Sequence, residues 1–406
     1  MKRSLWNTIF LALFFSIFAL LIVLFPKEAL EASKNGLHMW WHVVFPSLLP
    51  FFIVSELLIG YGVVRFIGVL LEPLMRPLFR VPGVGGFVWA MGMASGFPAG
   101  AKFTARLRQE KQITAIEAER LVSFTNCSNP LFIFAAVSVG FFKNEQLGLL
   151  LITSHYLSNF FVGIMMRFYG RKQENIREKK TITFPSITKA LRALHHFQRN
   201  EVKPLGKMLG DAVTHSIQTL LMIGGFIILF SVLNKMLSLI HVTQFLGSIV
   251  ASFILLFDFP TTLGVPLISG LFEITLGSKL TSDTDGSILQ QAMIVSFILA
   301  FSGFSVQAQV ASILAETDIK FYPFFFARIA QGVLAAILTN ILFHPLYVES
   351  TFTVQHVIPV LQRETSVNWL IYIWNQVIEI GPVLTLLAIL LYIYLFWHKY
   401  KTKPHN

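Results

Sequence analysis

The sequence predicts an all-α polytopic membrane protein of about eight transmembrane helices plus two re-entrant hairpins, arranged as an inverted repeat. Three observations predict it. First, 54% of the 406 residues are hydrophobic, only 13% are charged, and the mean hydropathy is +0.66, whereas a soluble domain carries roughly 25% charged residues. Second, several apolar runs reach the about 20 residues that a bilayer core of about 30 Å requires. Third, two shorter apolar runs break at small residues, and the first then turns basic at Lys102, Arg106 and Arg108. The two breaks are Ser95-Gly96-Phe97-Pro98-Ala99-Gly100-Ala101-Lys102 and Ser269-Gly270 through Gly277-Ser278-Lys279. Irregular backbone at membrane depth is tolerated only where protein or a water-filled cavity satisfies its polar groups. Paired breaks in two halves of a chain therefore point to a transport site.

Residues 1–36 hold the N-terminal span, about Leu5 to Phe25, behind Lys2 and Arg3. It is longer than a signal-peptide core, and Phe25-Pro26-Lys27-Glu28 offers no small-residue cleavage site, so it is expected to be retained. Residues 37–170 form the first unit. Leu37 to Tyr61 spans, with Trp40 and Trp41 at its outer interface and Pro46 and Pro50 as kinks. Val63 to Arg80 alternates arginines with apolar residues, as a helix lying in the inner interface does. Gly86 to Arg108 is the first hairpin. Leu121 to Phe142 crosses outward, interrupted by Thr125-Asn126-Cys127-Ser128-Asn129-Pro130, and Leu147 to Tyr169 crosses back.

Residues 171–211 are a basic linker, read as solvated and cytoplasmic by the positive-inside rule. Residues 212–345 repeat the first unit in inverted orientation. Val213 to Leu233 spans, and Leu237 to Phe259 leads to the second hairpin, Thr261 to Lys279. Leu289 to Ile313 is broken near Ser302-Gly303-Phe304-Ser305, and Phe321 to Phe343 spans. Residues 346–406 carry an outer loop, a last span from Trp369 to Trp397, and a basic tail. Both termini are then cytoplasmic.

An offset of 173 (295 minus 122) places Val122-Ser123-Phe124 on Val295-Ser296-Phe297. It also places His42 on His215, Asn129 on Ser302, Pro130 on Gly303 and Ser154 on Ala327. The order of features repeats with it: span, interfacial helix, broken hairpin, broken span, span.

The net charge of +11 is no nucleic-acid signal, because the basic residues cluster between apolar spans. Cys127 is the only cysteine, so no intramolecular disulfide can form. No metalloprotease His-Glu-x-x-His, phosphate-binding loop or cluster with metal-ligand spacing occurs. No enzyme, metal or cofactor is expected.

Inverted repeats bring half-helix ends together near the midplane, and helix N-termini hold anions. Lys102 and Lys279 are mates in the repeat. A charge at membrane depth usually has a partner or a function. The two lysines are expected to face a common cavity and attract an anion, unless each simply snorkels its ammonium into water. Charge reversal at either is expected to abolish transport. The substrate-binding candidates are Ser95, Gly96, Pro98, Gly100 and Lys102 on the first hairpin, with Asn126, Ser128 and Asn129 at the first break. Gly270, Gly277, Ser278 and Lys279 on the second hairpin join Ser302, Gly303, Ser305, Gln307 and Gln309 at the second break. Glu273 has no counterpart in the first hairpin. It reads as a proton or cation site, or as a partner of Lys279. Glu56 and Glu379 are weaker proton-site candidates, and His42 and His215 read as interfacial.

Ser-Gly-Phe-Pro-Ala-Gly-Ala-Lys at 95–102, followed by Thr-Asn-Cys-Ser-Asn-Pro at 125–130, resembles the family of the sporulation integral membrane protein YlbJ, also called SpoVV. The resemblance covers nearly the whole chain. That family falls in the gate, or nucleoside-recognition, domain group. It implies an architecture similar to concentrative nucleoside transporters, whose two hairpins and two unwound helices form the substrate site. It further implies a role in endospore formation: moving dipicolinic acid from the mother cell across the outer forespore membrane. Dipicolinate is a small rigid dianion, which two lysines and several helix N-termini would suit. Where nucleoside transporters carry acidic and amide residues in the first hairpin, Phe97-Pro98-Ala99 stands here, which argues against a nucleoside. The alternatives are a carrier of another small anion or nucleoside, and a non-transporting membrane scaffold for sporulation. A scaffold has no need of Gly-Pro interruptions at the midplane.

Overall fold

A computed structural model describes residues 2–171, 187–201 and 204–348, and no strand occurs among them. Helix α1 (Lys2–Leu24) turns through 102° into α2 (Pro26–Met39). Pro26 opens α2, where its missing N–H is no loss. α2 runs on through a π-helical turn (Trp40–Val44) into α3 (Phe45–Gly60). The wide turn lies just ahead of Pro46, whose ring crowds the carbonyl one turn back; the Phe45 N–H reaches the Trp40 carbonyl instead of the usual nearer one. The continuous stretch over 26–60 matches the 35 residues of α10 (Leu205–Leu239).

These two long stretches pack antiparallel. Gly36 lies against Ile228, the Trp40 indole N–H donates to the Leu220 carbonyl at 2.9 Å, and Gly60 lies against Met208. Small residues let the backbones approach, as between helices in a bilayer: a Cβ on Gly36 would sit 3.0 Å from Ile228 Cα.

Gly62, with φ +77°, ends the first stretch, and α4 (Val63–Phe79) leaves α3 at 84°. α4 buries Val64, Gly68, Met75 and Phe79 on one face, as the amphipathic reading requires. On its other face Arg76 bridges Glu72 and Glu117, each at 2.7 Å.

The first hairpin is α5 (Val84–Ser95) and α6 (Ala99–Gln109). A capping box of Thr114 and Glu117 opens α7 (Ala115–Thr125). After an irregular segment the span resumes as a π-helix (Phe132–Phe141), and α8 (Gln146–Met166) follows. The stretch read as a solvated linker contains α9 (Ile187–Glu201), which packs on α4: Ala190 is fully buried and the Arg65 guanidinium lies 4.6 Å from the Phe197 ring centre. The order then recurs as α11 (Val242–Ile254), the hairpin α12 (Gly264–Phe272) and α13 (Ile274–Ser282), the broken pair α14 (Ile288–Phe301) and α15 (Gly303–Leu314), and α16 (Phe321–Phe343).

One contact recurs in both halves. A Cβ on Gly83 would fall 1.9 Å from the Gly68 carbonyl oxygen, and one on Gly264 2.2 Å from that of Gly247. In each half the short helix thus meets the root of its hairpin through glycine and backbone. Gly83→Ala and Gly264→Ala are each expected to destabilise the fold by about 1–3 kcal/mol, the usual cost of overpacking. Thermal unfolding of the detergent-solubilised protein measures this.

The two broken spans run in opposite directions. Arg108 near the end of α6 pairs with Asp318 at 2.6 Å, and the Lys320 N–H donates to Glu119 of α7 at 3.1 Å, which brings the segment after α15 beside the start of α7. At the other end Asn144 donates to the Tyr347 hydroxyl at 2.7 Å, which joins the start of α8 to the segment after α16. The hydrogen bond from the Arg108 guanidinium holds the Asp318 carboxyl below its usual range, partial burial opposing. A depressed folded value stabilises only above the ordinary carboxylate range, and the gain is lost as pH falls through the folded value. Asp318→Asn is therefore expected to lower thermal stability at neutral pH, by under about 1 kcal/mol for so exposed a pair. The difference from the unsubstituted protein should close on acidification.

Among the described residues four helices are long and apolar enough to cross a bilayer: α8, α10, α14 with α15, and α16. Counting each bent pair, α1 with α2 and α3 with α4, as one span gives six. The expected eight included Leu121 to Phe142, which the irregular segment splits into pieces too short to count. They also included Trp369 to Trp397, which lies outside the described residues, as do Glu379 and the outer loop beyond 348.

Candidate functional site

Two hairpin tips and two broken spans meet in this fold. The first tip, 96–98, follows Gly96 at φ +86°. Gly92 and Gly100, on its two arms, both face the Thr125 carbonyl: a Cβ on either would fall 2.1 or 2.2 Å from that oxygen. The hairpin thus clasps the last turn of α7. Gly96 abuts Asn129, whose side-chain amide donates to the Ser95 carbonyl at 3.1 Å and whose oxygen caps the Phe132 N–H at 2.7 Å. In the second half Gly277 presses on Gly270, and Gly303 approaches the Gly270 carbonyl. Both Ser302 and Gly303 have positive φ. The halves interlock, since α6 packs against α15 and α13 against the π-helix of the first broken span.

The first break is held from two other helices. Arg328 on α16 donates to the carbonyls of Ser123 and Asn126 and to the side-chain oxygen of Asn159. From α8, Asn159 donates to the Phe124 carbonyl, and the Tyr156 hydroxyl to the Ser128 carbonyl at 2.8 Å. The Ser128 N–H donates to His155 Nε2 at 3.1 Å. A helix C-terminus carries partial negative charge, so a guanidinium there is well placed. Arg328 and His155 are fully buried, and no carboxylate forms an ion pair with Arg328 among the described residues.

Many polar atoms around the breaks have no protein partner. His155 accepts at Nε2, so its neutral ring carries the proton on Nδ1, and that donor is unfilled. Arg328 Nε and Asn126 Nδ2 are unfilled donors as well. The hydroxyls of Ser95, Ser154, Ser278 and Ser302 are buried without partners, as are the oxygens of Asn126, Gln307 and Gln331. Gln307 spends its amide on the Phe301 carbonyl, freed by the second break.

Both predicted lysines have carboxylate partners. Lys102 Nζ stands 3.2 Å from Glu56 Oε1, with side chains only 12% and 11% exposed, and lies 4.7 Å above the Phe52 ring. Lys279 pairs at 2.8 Å with Asp283, just past the end of its own helix, and both side chains are about half exposed. Glu273 does not pair with Lys279. Its carboxylate caps α13, accepting from the N–H groups of Thr275 and Leu276 at 3.0 and 2.7 Å. Of the remaining candidates, Gly100, Gly270 and Gly277 are explained by close backbone approach, and Ser305 and Gln309 are buried. Pro98 opens α6, which has no side-chain cap.

The chain is 60% identical over 400 residues to the sporulation integral membrane protein YlbJ of Bacillus subtilis (strain 168), covering 98% of both chains. It belongs to the YlbJ family. The nucleoside-recognition (Gate) family also matches residues 41–172, and no solved structure matches. The Gate match spans α3, the first hairpin, the first break and α8, so it includes Lys102, Glu56, Asn126 and His155. It does not reach Arg328, which this YlbJ-family chain sends from its second half into the first break. Sequence reasoning missed Arg328, His155 and Asn159. Two signals stood in the chain: an arginine inside an apolar span, and the repeat offset, since 328 minus 155 is again 173.

Proposed function

We propose that this YlbJ-family protein is a carrier that moves dipicolinate from the mother cell across the outer forespore membrane by alternating access. In this reading it has both termini on the mother-cell side and two gate-type units as an inverted repeat. One observation carries the proposal: buried polar atoms without partners occur on both hairpins and at both broken spans, and the first break holds a buried guanidinium that pairs with no carboxylate among the described residues. Each buried unsatisfied group costs about 1–3 kcal/mol. A scaffold would bear that cost with no return, whereas a site recovers it on binding. The unfilled donors of Arg328, His155 and Asn126, with the nearby serine hydroxyls, suit carboxylate oxygens. The uncapped start of α6 adds a helix N-terminus. Lys102, Asn126, Ser95, Ser302 and Gln307 are the proposed substrate contacts. The opposed directions of the broken spans and the glycine contacts shared by both halves support the repeat.

The test is flux into liposomes carrying the purified protein. Saturable dipicolinate uptake, with uridine not taken up, supports the reading. Uridine uptake without dipicolinate would turn it to a nucleoside carrier. Flux of neither by folded protein would favour the scaffold.

A further inference from the structure

Resting on that carrier reading, we propose that transport is coupled to protons, with Glu56 taking up one proton each time Lys102 leaves it for a substrate carboxylate.

The proposal starts from an asymmetry between the two lysines. Lys279 is neutralised at the end of its own helix by an exposed residue one turn on. Such a pair can open in water at little cost. Lys102 is neutralised across helices, by Glu56 on α3, with both side chains nearly buried. The contact has ion-pair distance, yet Lys102 Nζ makes no aligned hydrogen bond. Its other neighbour is the face of Phe52. The ammonium is thus held by charge and an aromatic face rather than by a filled set of acceptors. It retains capacity for a second carboxylate. It stands on the first turn of α6, just past the tip that abuts the first break.

A substrate carboxylate at that tip competes with Glu56 for one ammonium. If Lys102 moves to the substrate, Glu56 stays behind with no cation. An isolated ionised carboxylate in low dielectric is so costly that the group neutralises instead. The only chemistry needed is addition of a proton from water to one Glu56 oxygen, and its release when Lys102 returns. No bond in the substrate changes.

Among the described residues Glu56 has no other cation in ion-pair contact. Arg106, one turn along α6, is committed to Glu110 at 2.8 Å. α5 carries no titratable residue. At this level of α10, Asp211 is itself acidic and His215 is exposed. Arg65 on α4 lies against Phe197 of α9. Among the described residues the second half shows no such buried pair across helices at the mate of Lys102, because Lys279 is taken by the exposed Asp283. One such lysine pair among the described residues predicts one proton per dipicolinate, so that a dianion crosses with a single net negative charge.

The experiment follows dipicolinate uptake and lumenal pH together in proteoliposomes at neutral pH, with the membrane potential clamped by potassium and valinomycin. The expected result is lumenal acidification in step with uptake, near one proton per dipicolinate, and accumulation of dipicolinate when the outside is made acidic. Glu56→Gln is expected to lose both. Uptake by the unsubstituted protein with no proton movement overturns the coupling while leaving the carrier intact, and absence of uptake overturns the carrier itself. Coupling that persists in a transporting Glu56→Gln would remove Glu56 from the role. Should that variant fail to fold, the unsubstituted protein's proton-to-substrate ratio decides the proposal, and Glu56→Asp, which keeps a titratable group, is expected to retain coupling.

Discussion

Arg328→Met is expected to cause the largest loss of stability of any single substitution at the breaks. Methionine fills much of the volume and removes every hydrogen bond that Arg328 makes to the unwound segment. The carbonyls of Ser123 and Asn126 and the Asn159 oxygen then stay buried without that donor. At about 1–3 kcal/mol for each orphaned acceptor, the loss is about 3 kcal/mol or more, a large share of a typical folding free energy of about 5–15 kcal/mol. Arg328→Lys should recover little, because an ammonium cannot reproduce the planar fork that serves several acceptors. Cys127 supplies the measurement. It is the sole cysteine, fully buried, and lies within the segment that Arg328 holds. Thiol labelling during a temperature ramp should begin at a markedly lower temperature in Arg328→Met. An unchanged onset would mean that the break is held by α8 alone.

Lys102→Glu is expected to have the largest effect on transport. It places a like charge beside Glu56 and removes the cation proposed to meet the substrate. A charge-assisted hydrogen bond is worth about 1.5–3 kcal/mol, so loss of the contact alone should lower dipicolinate flux by roughly 10- to 100-fold. Repulsion should take it below detection. The double substitution Lys102→Met with Glu56→Gln separates the two causes. It leaves no unpaired charge, so the fold is expected to survive while flux stays low. Flux restored in the double variant would show that Lys102 serves only to neutralise Glu56. Lys279→Glu provides the contrast. Its exposed pair with Asp283 contributes little to stability, so any transport defect there would speak for substrate contact rather than folding.

Much of the architecture was legible because glycine and proline report local geometry. The hairpin at 95–102 was found from its break, and the structure supplies the reason for the glycines: the Thr125 carbonyl sits between Gly92 and Gly100. The alternation of arginines and apolar residues over Val63–Arg80 gave α4 almost to the residue. The breaks after Thr125 and at Ser302 were located for the same reason. What pattern could not supply was pairing at a distance. Glu56 and Lys102 are 46 positions apart and lie on different helices, so neither announces the other. Glu273 looked like a free acid because its partners are the backbone N–H groups of its own helix. Helix α9 was hidden by composition, since its basic face resembles a solvated linker until Phe197 and Ala190 are seen against α4. Arg328 was hidden inside an apolar run, Phe321 to Phe343, read only as a span.

The proposed site holds a small dianion where the hairpin tips meet the broken spans. Cys127 lies at that place, so the direct measurement is the temperature at which its thiol becomes reactive, with dipicolinate or uridine added. Binding to the folded state alone stabilises it by about 2.7 kcal/mol at a hundredfold excess over the dissociation constant. Dipicolinate is expected to delay labelling in a saturable way and uridine to leave it unchanged, and the delay is expected to disappear in Lys102→Met with Glu56→Gln. No delay at any dipicolinate concentration, in protein that transports it, would place the substrate elsewhere.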